Sequence, residues 1–200
     1  MEHYYENLVG WFDFQDIYSD MVKNADNNSH FVEVGAFLGK STSFMGVEII
    51  NSGKNILFDV VDIFDCEIPG DEETYKKEVV ILNNVVENNK KEKEETFYDL
   101  FTHNIKPVKY AIGNIHKMFS VEASSLYKDD RLAFVFIDAS HKYEDVKKDI
   151  QAWLPKVKTN GYIGGHDYHP DWQGVIDAVK EVIGEGNYIV SGNSWLYQKK

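Results

Sequence analysis

The stretch "HFVEVGAFLGKST", His30 to Thr42, decides how the rest of the chain is read. Its first five residues form a β-type run interrupted by one acid. Gly35 and Gly39 follow, and Gly39, Ser41 and Thr42 stand where a helix would open. Strand, glycine loop and helix in that order make the first step of a mainly parallel α/β sheet. The alternation continues through β-type runs at 30–34, 56–62 ("ILFDVVD"), 108–112 ("VKYAI"), 133–138 ("AFVFID") and 161–166 ("GYIGGH"). A helical stripe of Val146, Ile150, Trp153, Leu154 and Val157 precedes the fifth run, with Pro155 an irregularity near its end. Another, Trp172, Val175, Ile176, Val179 and Ile183, follows it. The tail "NYIVSGNSWLYQ" reads as two short strands about Ser191-Gly192-Asn193, so the sheet ends on an antiparallel hairpin.

The chain has 200 residues, 43% hydrophobic and 14% aromatic, which is enough for the core of one domain over 1–200. An N-terminal helical segment covers about 1–25. A charged helical insertion covers about 66–106; within it Tyr75, Val79, Leu82 and Val86 form one amphipathic stripe and "NNKKEKEE" a solvated helix end. A substrate lid, an oligomer contact and a plain surface insertion all fit that segment. Lys and Arg total 21 against 33 Asp and Glu, a net charge of -12, so a phosphate backbone is repelled and nucleic acid is disfavoured. The single cysteine, Cys66, excludes an intramolecular disulfide and a multi-cysteine metal site and suits a reducing compartment, so the cytoplasm is expected. No apolar run approaches the ~18 residues of a membrane span. The start "MEHYYENLVGWF" lacks the features of a signal peptide, so the Asn27-Asn28-Ser29 sequon is not expected to carry sugar.

Gly35 and Gly39 are four apart, which is neither the G-x-G-x-x-G of dinucleotide binding nor, despite Gly39-Lys40-Ser41-Thr42, a phosphate-binding loop. Gly35 allows a close backbone approach to a ligand, and the free N–H groups at Gly39, Ser41 and Thr42 favour a carboxylate. Glu33 sits inside an apolar strand, where a carboxylate is costly unless a positive or hydrogen-bonding group meets it. A cationic ligand answers that need. Asp62, ending the second run 23 positions after Gly39, stands close to the ~20-residue interval at which an acid takes ribose hydroxyls. Together these groups suit S-adenosylmethionine, which has a carboxylate, an ammonium, a sulfonium and a ribose. A tight structural turn is the other reading of the loop.

Several stretches carry a resemblance: "GWFDF", "FVEVGAFLGKSTSFM", "VVDIF", "SVEASSLYKDDRLAFVFIDASHKYEDVKKDIQAWLPKVKTNGYIGGHDY", "GVIDAVKEV" and "SWLYQKK". With these the chain resembles the class I S-adenosylmethionine-dependent methyltransferases, in particular the small methyltransferase-domain group related to catechol, macrocin and cephalosporin-type O-methyltransferases. The resemblance implies a Rossmann-like, seven-stranded sheet ordered 3-2-1-4-5-7-6 with an antiparallel last strand. It places the cofactor over strands 1 and 2 and the acceptor over strands 4 and 5. On it, Glu33, Gly35 and Gly39 match the motif around the methionine moiety, and Asp62 matches the ribose acid. Ser120 matches a serine beside the adenine, with Phe119 or Met118 available to pack on the purine. Asp138, which counts also among the cofactor-binding residues, and His141 match a "D-x-x-H" after the fourth strand, and His166 and Asp167 match the acidic or His-Asp pair after the fifth. Metal-dependent relatives usually carry Asp-Asp or Asp-Asn at that last position, so His166-Asp167 is a departure.

Three readings of this cluster stay open. Asp138, His166 and Asp167 hold a divalent cation, Mg²⁺ if oxygen ligands dominate and Mn²⁺ or similar if an imidazole joins. Alternatively His141 or His166 is a general base beside Asp138. Or the acids and imidazoles only brace the strand ends, and His169 shapes a turn. The chain has neither an Asn/Asp-Pro-Pro-aromatic motif nor a Pro-Cys nucleophile, so the expected acceptor is a hydroxyl of a small molecule or sugar. A non-catalytic cofactor-binding domain and a nicotinamide-dependent oxidoreductase are the alternatives. A homo-oligomer is compatible with everything above.

Overall fold

Five residues, His30–Val34, make the central strand β1, and the computed structural model, which describes residues 1–64 and 96–200, buries four of them. The strand pairs in parallel with β2 (Leu57–Asp62) on one side and β4 (Leu132–Ile137) on the other. A strand covered on both faces has no polar side to show, which is why these three read as nearly continuous apolar runs. Alternation assigns Phe31 and Glu33 to one face and Val32 and Val34 to the other. On the first face Phe31, Phe58, Phe134 and Phe136 pack with Phe14, Tyr18, Phe44 and Met45. These last four come from the N-terminal segment, including α1 (Gln15–Asn24), and from α2 (Lys40–Ser52). On the second face Val32, Val34, Val135 and Ile137 pack under α5 (Tyr143–Trp153) and α6 (Gln173–Ile183). Between them lie α3 (Phe97–Asn104), opened by a Thr96/Asp99 capping box, and the short α4 (Ser120–Ser124).

The remaining strands are β3 (Ile115–Lys117), β5 (Val157–Gly165), β6 (Ile189–Ser191) and β7 (Ser194–Gln198). Their order is β3-β2-β1-β4-β5-β7-β6, as the resemblance implies, with β7 antiparallel to β5 and β6. The hairpin at Ser191 to Ser194 forms as expected. Among the described residues no helix is long and apolar enough to cross a membrane.

Two expectations need correction. Residues 108–112 are not the third strand: Lys106–Ala111 is a 3-10 helix with Pro107 in its first turn. Proline presets a helical φ and removes a ladder donor. Val108 is fully buried there, in the space left by Gly46 of α2, where an added Cβ would stand 2.6 Å from the Val108 Cβ. The true β3 is only three residues long. Likewise Val157 does not continue a helix. The helix ends at Trp153, Leu154–Lys156 forms a 3-10 turn around Pro155, and Val157 begins β5 opposite Leu132. The register then shifts through Asn160, whose φ is 64°, before Tyr162 meets Phe134. The stripe at Tyr75, Val79, Leu82 and Val86, and Cys66 with it, lies outside the described residues.

Candidate active site

A cavity of about 420 Å³ opens beyond the carboxyl ends of β1, β4 and β5. Such crevices are where open parallel sheets bind ligands. One wall is the N-terminal segment from Gly10 to Asp13. Opposite stand Gly35, Ala36 and Phe37 of the glycine loop with Lys40 and Ser41 of α2. Asp138, Ala139 and His141 follow β4, His166 and Asp167 follow β5, and Trp172 and Asn193 complete the rim.

The glycine loop is held from beneath. Asp62 Oδ2 accepts from the backbone N–H of Ala36 at 2.7 Å and of Phe37 at 2.8 Å, and Oδ1 accepts from Phe64 N–H at 2.6 Å. Burial moves this carboxyl up from its ordinary value despite those three donors. Gly35, at φ 86°, crosses so close to β4 that a Cβ there would lie 1.9 Å from the Asp138 carbonyl oxygen. At Gly35 the loop thus also crosses close to the protein's own main chain. Gly39 caps α2.

Glu33 faces α1 and is 1% exposed. Its Oε1 accepts from the Tyr18 hydroxyl at 2.8 Å and its Oε2 from the Thr42 hydroxyl, so two hydroxyl groups meet the buried carboxyl. Burial pushes the Glu33 carboxyl up to about 7, against the hydrogen bonds from Thr42, Ser41 and Tyr18. The unfolded chain ionises this group near pH ~4.3. Between there and about 7 the folded state binds the extra proton, so stability declines as pH rises through that window and stays lower above it. Glu33→Gln is neutral throughout and escapes that decline. The variant should gain roughly 2–3 kcal/mol on the wild type between pH 5 and 8, read from urea midpoints at both ends. An offset independent of pH would show that Glu33 is ionised throughout.

Ser120 opens α4, but its Oγ accepts from Trp153 Nε1 at 2.9 Å, and its hydroxyl also serves Asp149, whose carboxyl burial pushes up to about 6. Beside it Met118 packs into the second core and Phe119 is exposed. Of the expected cofactor residues, Gly35, Ser41 and Asp138 line the cavity; Glu33, Gly39, Thr42, Asp62 and Ser120 lie outside its lining.

The acids and imidazoles after β4 and β5 converge. One donor atom each from Asp138, His166 and Asp167 lies within 4.8 Å of the other two. His166 Nδ1 is 3.6 Å from Asp138 Oδ1 and 3.3 Å from Asp167 Oδ1. His141 Nε2 holds Asp167 Oδ2 at 2.7 Å, and its ring lies 4.0 Å from that of Trp172. Asp167 takes a φ of 59°, which turns the chain sharply after β5. Burial opposes the charge of His166, but Asp138 and Asp167 outweigh it and raise its pKa to about 11. Burial likewise raises Asp138, while Asp167 is held well below the usual carboxylate range because His141 and His166 outweigh its burial. With its proton held this firmly, His166 is a poor general base at neutral pH; a cation displacing that proton would make it a ligand.

The profile of a family described as a methyltransferase domain matches residues 32–168, from β1 through the cavity's last acid. The chain belongs to the methyltransferase-domain family. This agrees with its resemblance to class I S-adenosylmethionine-dependent methyltransferases. Among solved structures, the O-methyltransferase NovP aligns over 93% of this chain and 79% of its own, with a TM-score of 0.62 and 18% identity. CalS11, the TDP-rhamnose 3'-O-methyltransferase of calicheamicin biosynthesis, aligns over 92% and 76%, with a TM-score of 0.56 and 13% identity. The uncharacterized protein y4gI of Sinorhizobium fredii (strain NBRC 101917 / NGR234) is 30% identical over 74 residues, 37% of this chain. That match spans 8% of y4gI.

Among the cavity residues of this methyltransferase that escape sequence reasoning are Asp13, Lys40, Trp172 as a wall, and Asn193. Asp13 lies inside "GWFDF", but nothing in its spacing points to a partner 153 residues away. Asn193 reads only as a turn residue.

Proposed function

We propose that this methyltransferase moves the methyl group of S-adenosylmethionine to a hydroxyl of a small molecule or a sugar, with a divalent cation held by Asp138, His166 and Asp167. The observation that carries the reading is the convergence of one imidazole nitrogen and two carboxylate oxygens within 4.8 Å on the cavity wall. The donor set fits a cation: the outer atoms of two of these groups are fastened, Asp167 by His141 and His166 by Asp13. Such outer partners orient metal ligands. A mixed nitrogen and oxygen set favours Mn²⁺, Fe²⁺ or Zn²⁺ over Ca²⁺. A bound divalent cation supplies Lewis acidity, lowering the pKa of a hydroxyl and fixing its oxygen.

The chain's own groups do the rest. Lys40, Ser41 and the free N–H groups at the start of α2 receive the carboxylate of the methionine moiety. Trp11, Phe37 and Trp172 wall the cavity and limit water. As the oxygen–methyl bond forms, the methyl–sulfur bond breaks with its electron pair returning to sulfur to leave S-adenosylhomocysteine, and the hydroxyl proton passes to solvent water. The sulfonium is already a good leaving group, so aligning acceptor oxygen, methyl carbon and sulfur is most of the catalytic work. That NovP is an O-methyltransferase and CalS11 acts on TDP-rhamnose supports oxygen as the acceptor atom and a sugar as one acceptor class. Composition suits a cytoplasmic protein that engages neither nucleic acid nor membrane.

Chelation tests the reading. Against a panel of hydroxylated acceptors, a strong chelator should lower turnover at least ~100-fold, and added Mn²⁺ or Mg²⁺ should restore it. Turnover indifferent to the chelator would remove the cation. An absence of calorimetric heat with S-adenosylmethionine and S-adenosylhomocysteine would remove the cofactor.

A further inference from the structure

Asp13 sits between a 3-10 turn at Tyr5–Asn7 and α1, and its two oxygens reach two remote parts of the chain. Oδ1 lies 2.7 Å from His166 Nε2, and Oδ2 accepts from Asn193 Nδ2 at 2.9 Å. The next residue, Phe14, is buried, with its ring 5.0 Å from that of His166 and 4.5 Å from that of Phe136, so the backbone presenting Asp13 is anchored in the core. The preceding residues Trp11 and Phe12 form cavity wall.

An imidazole that binds a cation through one nitrogen carries its proton on the other, and a carboxylate hydrogen-bonded there fixes both tautomer and ring plane. Asp13 occupies that position on His166, leaving Nδ1 toward Asp138 and Asp167. Asn193 holds the second oxygen and so prevents the carboxylate from swinging away.

We propose that Asp13 is a positioning residue: it sets His166 with Nδ1 toward the Asp138–Asp167 pair and makes the seating of the N-terminal segment part of completing the cation site. The inference rests on the cation reading above. By linkage, a cation that needs the seated segment must also stabilise it, because coupling between two sites is reciprocal.

The full chain stripped of metal is titrated with Mn²⁺ alone, followed by electron paramagnetic resonance, with amide hydrogen exchange over residues 8–14 in parallel. Asp13→Ala should weaken Mn²⁺ binding ~10–100-fold, the loss typical for outer partners of metal ligands. Asp13→Asn, which keeps an acceptor oxygen but loses the charge, should fall between. In the wild type Mn²⁺ should slow exchange at 8–14, and in Asp13→Ala it should not. Cooperative thermal unfolding of the metal-free variants, within a few degrees of the wild type, shows that they fold. Equal Mn²⁺ affinity in wild type and Asp13→Ala, or exchange in the wild type untouched by Mn²⁺, overturns the inference and leaves the cation reading standing. A wild type that binds no Mn²⁺ overturns both.

Discussion

Asp138→Asn should lower kcat/KM by roughly 10³-fold, about 4 kcal/mol of transition-state stabilisation, while S-adenosylhomocysteine affinity changes less than tenfold. The substitution keeps the shape of the side chain and the backbone bond from Asp138 N–H to the Val34 carbonyl at 2.7 Å. It removes one of the negative charges facing His166 and one of the oxygens of the proposed cation set. Burial already disfavours the charge on Asp138, and His166 is the first of the groups that oppose this, so neutralising the acid unbalances the pair directly. Steady-state kinetics with calorimetry separates catalysis from cofactor binding. A loss under tenfold would take Asp138 out of the machinery.

Gly35→Ala should be the most destabilising single-methyl addition in the sheet. The new Cβ would lie 1.9 Å from the Asp138 carbonyl oxygen, 2.5 Å from its carbon and 3.0 Å from the Ala139 Cα, all main-chain atoms with no side chain to swing aside. A left-handed φ of 86° adds about 1–2 kcal/mol for a residue with a Cβ. Relief of the clash requires the ends of β1 and β4 to part, straining the bonds from Gly35 N–H to Val61 and from Asp138 N–H to Val34. Those contribute about 1 kcal/mol each. The sum is roughly 3–4 kcal/mol, or about 6–16 °C in Tm for a chain of this size. Gly53→Ala is the control: its φ of 64° carries the same backbone penalty, but no atom lies within 4 Å of the added carbon. A fall in Tm at Gly35 no larger than at Gly53 would show that the strand ends yield without cost.

Strands β1, β2 and β4 were legible because a strand buried on both faces leaves a continuous apolar signature. The edge strand β3 was not, since three residues are too few to carry a period, and "VKYAI" nearby imitates a strand while Pro107 and the gap at Gly46 make it a 3-10 turn. The start of β5 was hidden by the left-handed Asn160, a backbone state that side-chain pattern does not encode. In the site, sequence brought forward Asp138, His141, His166 and Asp167, which follow the neighbouring strands β4 and β5, and the structure places them together. It missed what the partners of Glu33 and Asp62 are, because those are hydroxyls on α1 and α2 and backbone amides of the loop itself. It missed Asp13 because an acid far along the chain acquires meaning only when the fold brings it to an imidazole.

The cavity's floor and its walls belong to different parts of the molecule. The floor rests on strand ends locked through the Gly35–Asp138 crossing, whereas Trp11, Phe12, Trp172 and Asn193 come from stretches outside β1, β4 and β5. Acceptor preference and methyl-transfer chemistry are therefore separable for an engineer. A library confined to positions 11 and 12 samples new acceptors while the reacting groups stay in place, provided that every clone keeps the acid at position 13, the amide at 193 that holds it, and Trp172 against His141.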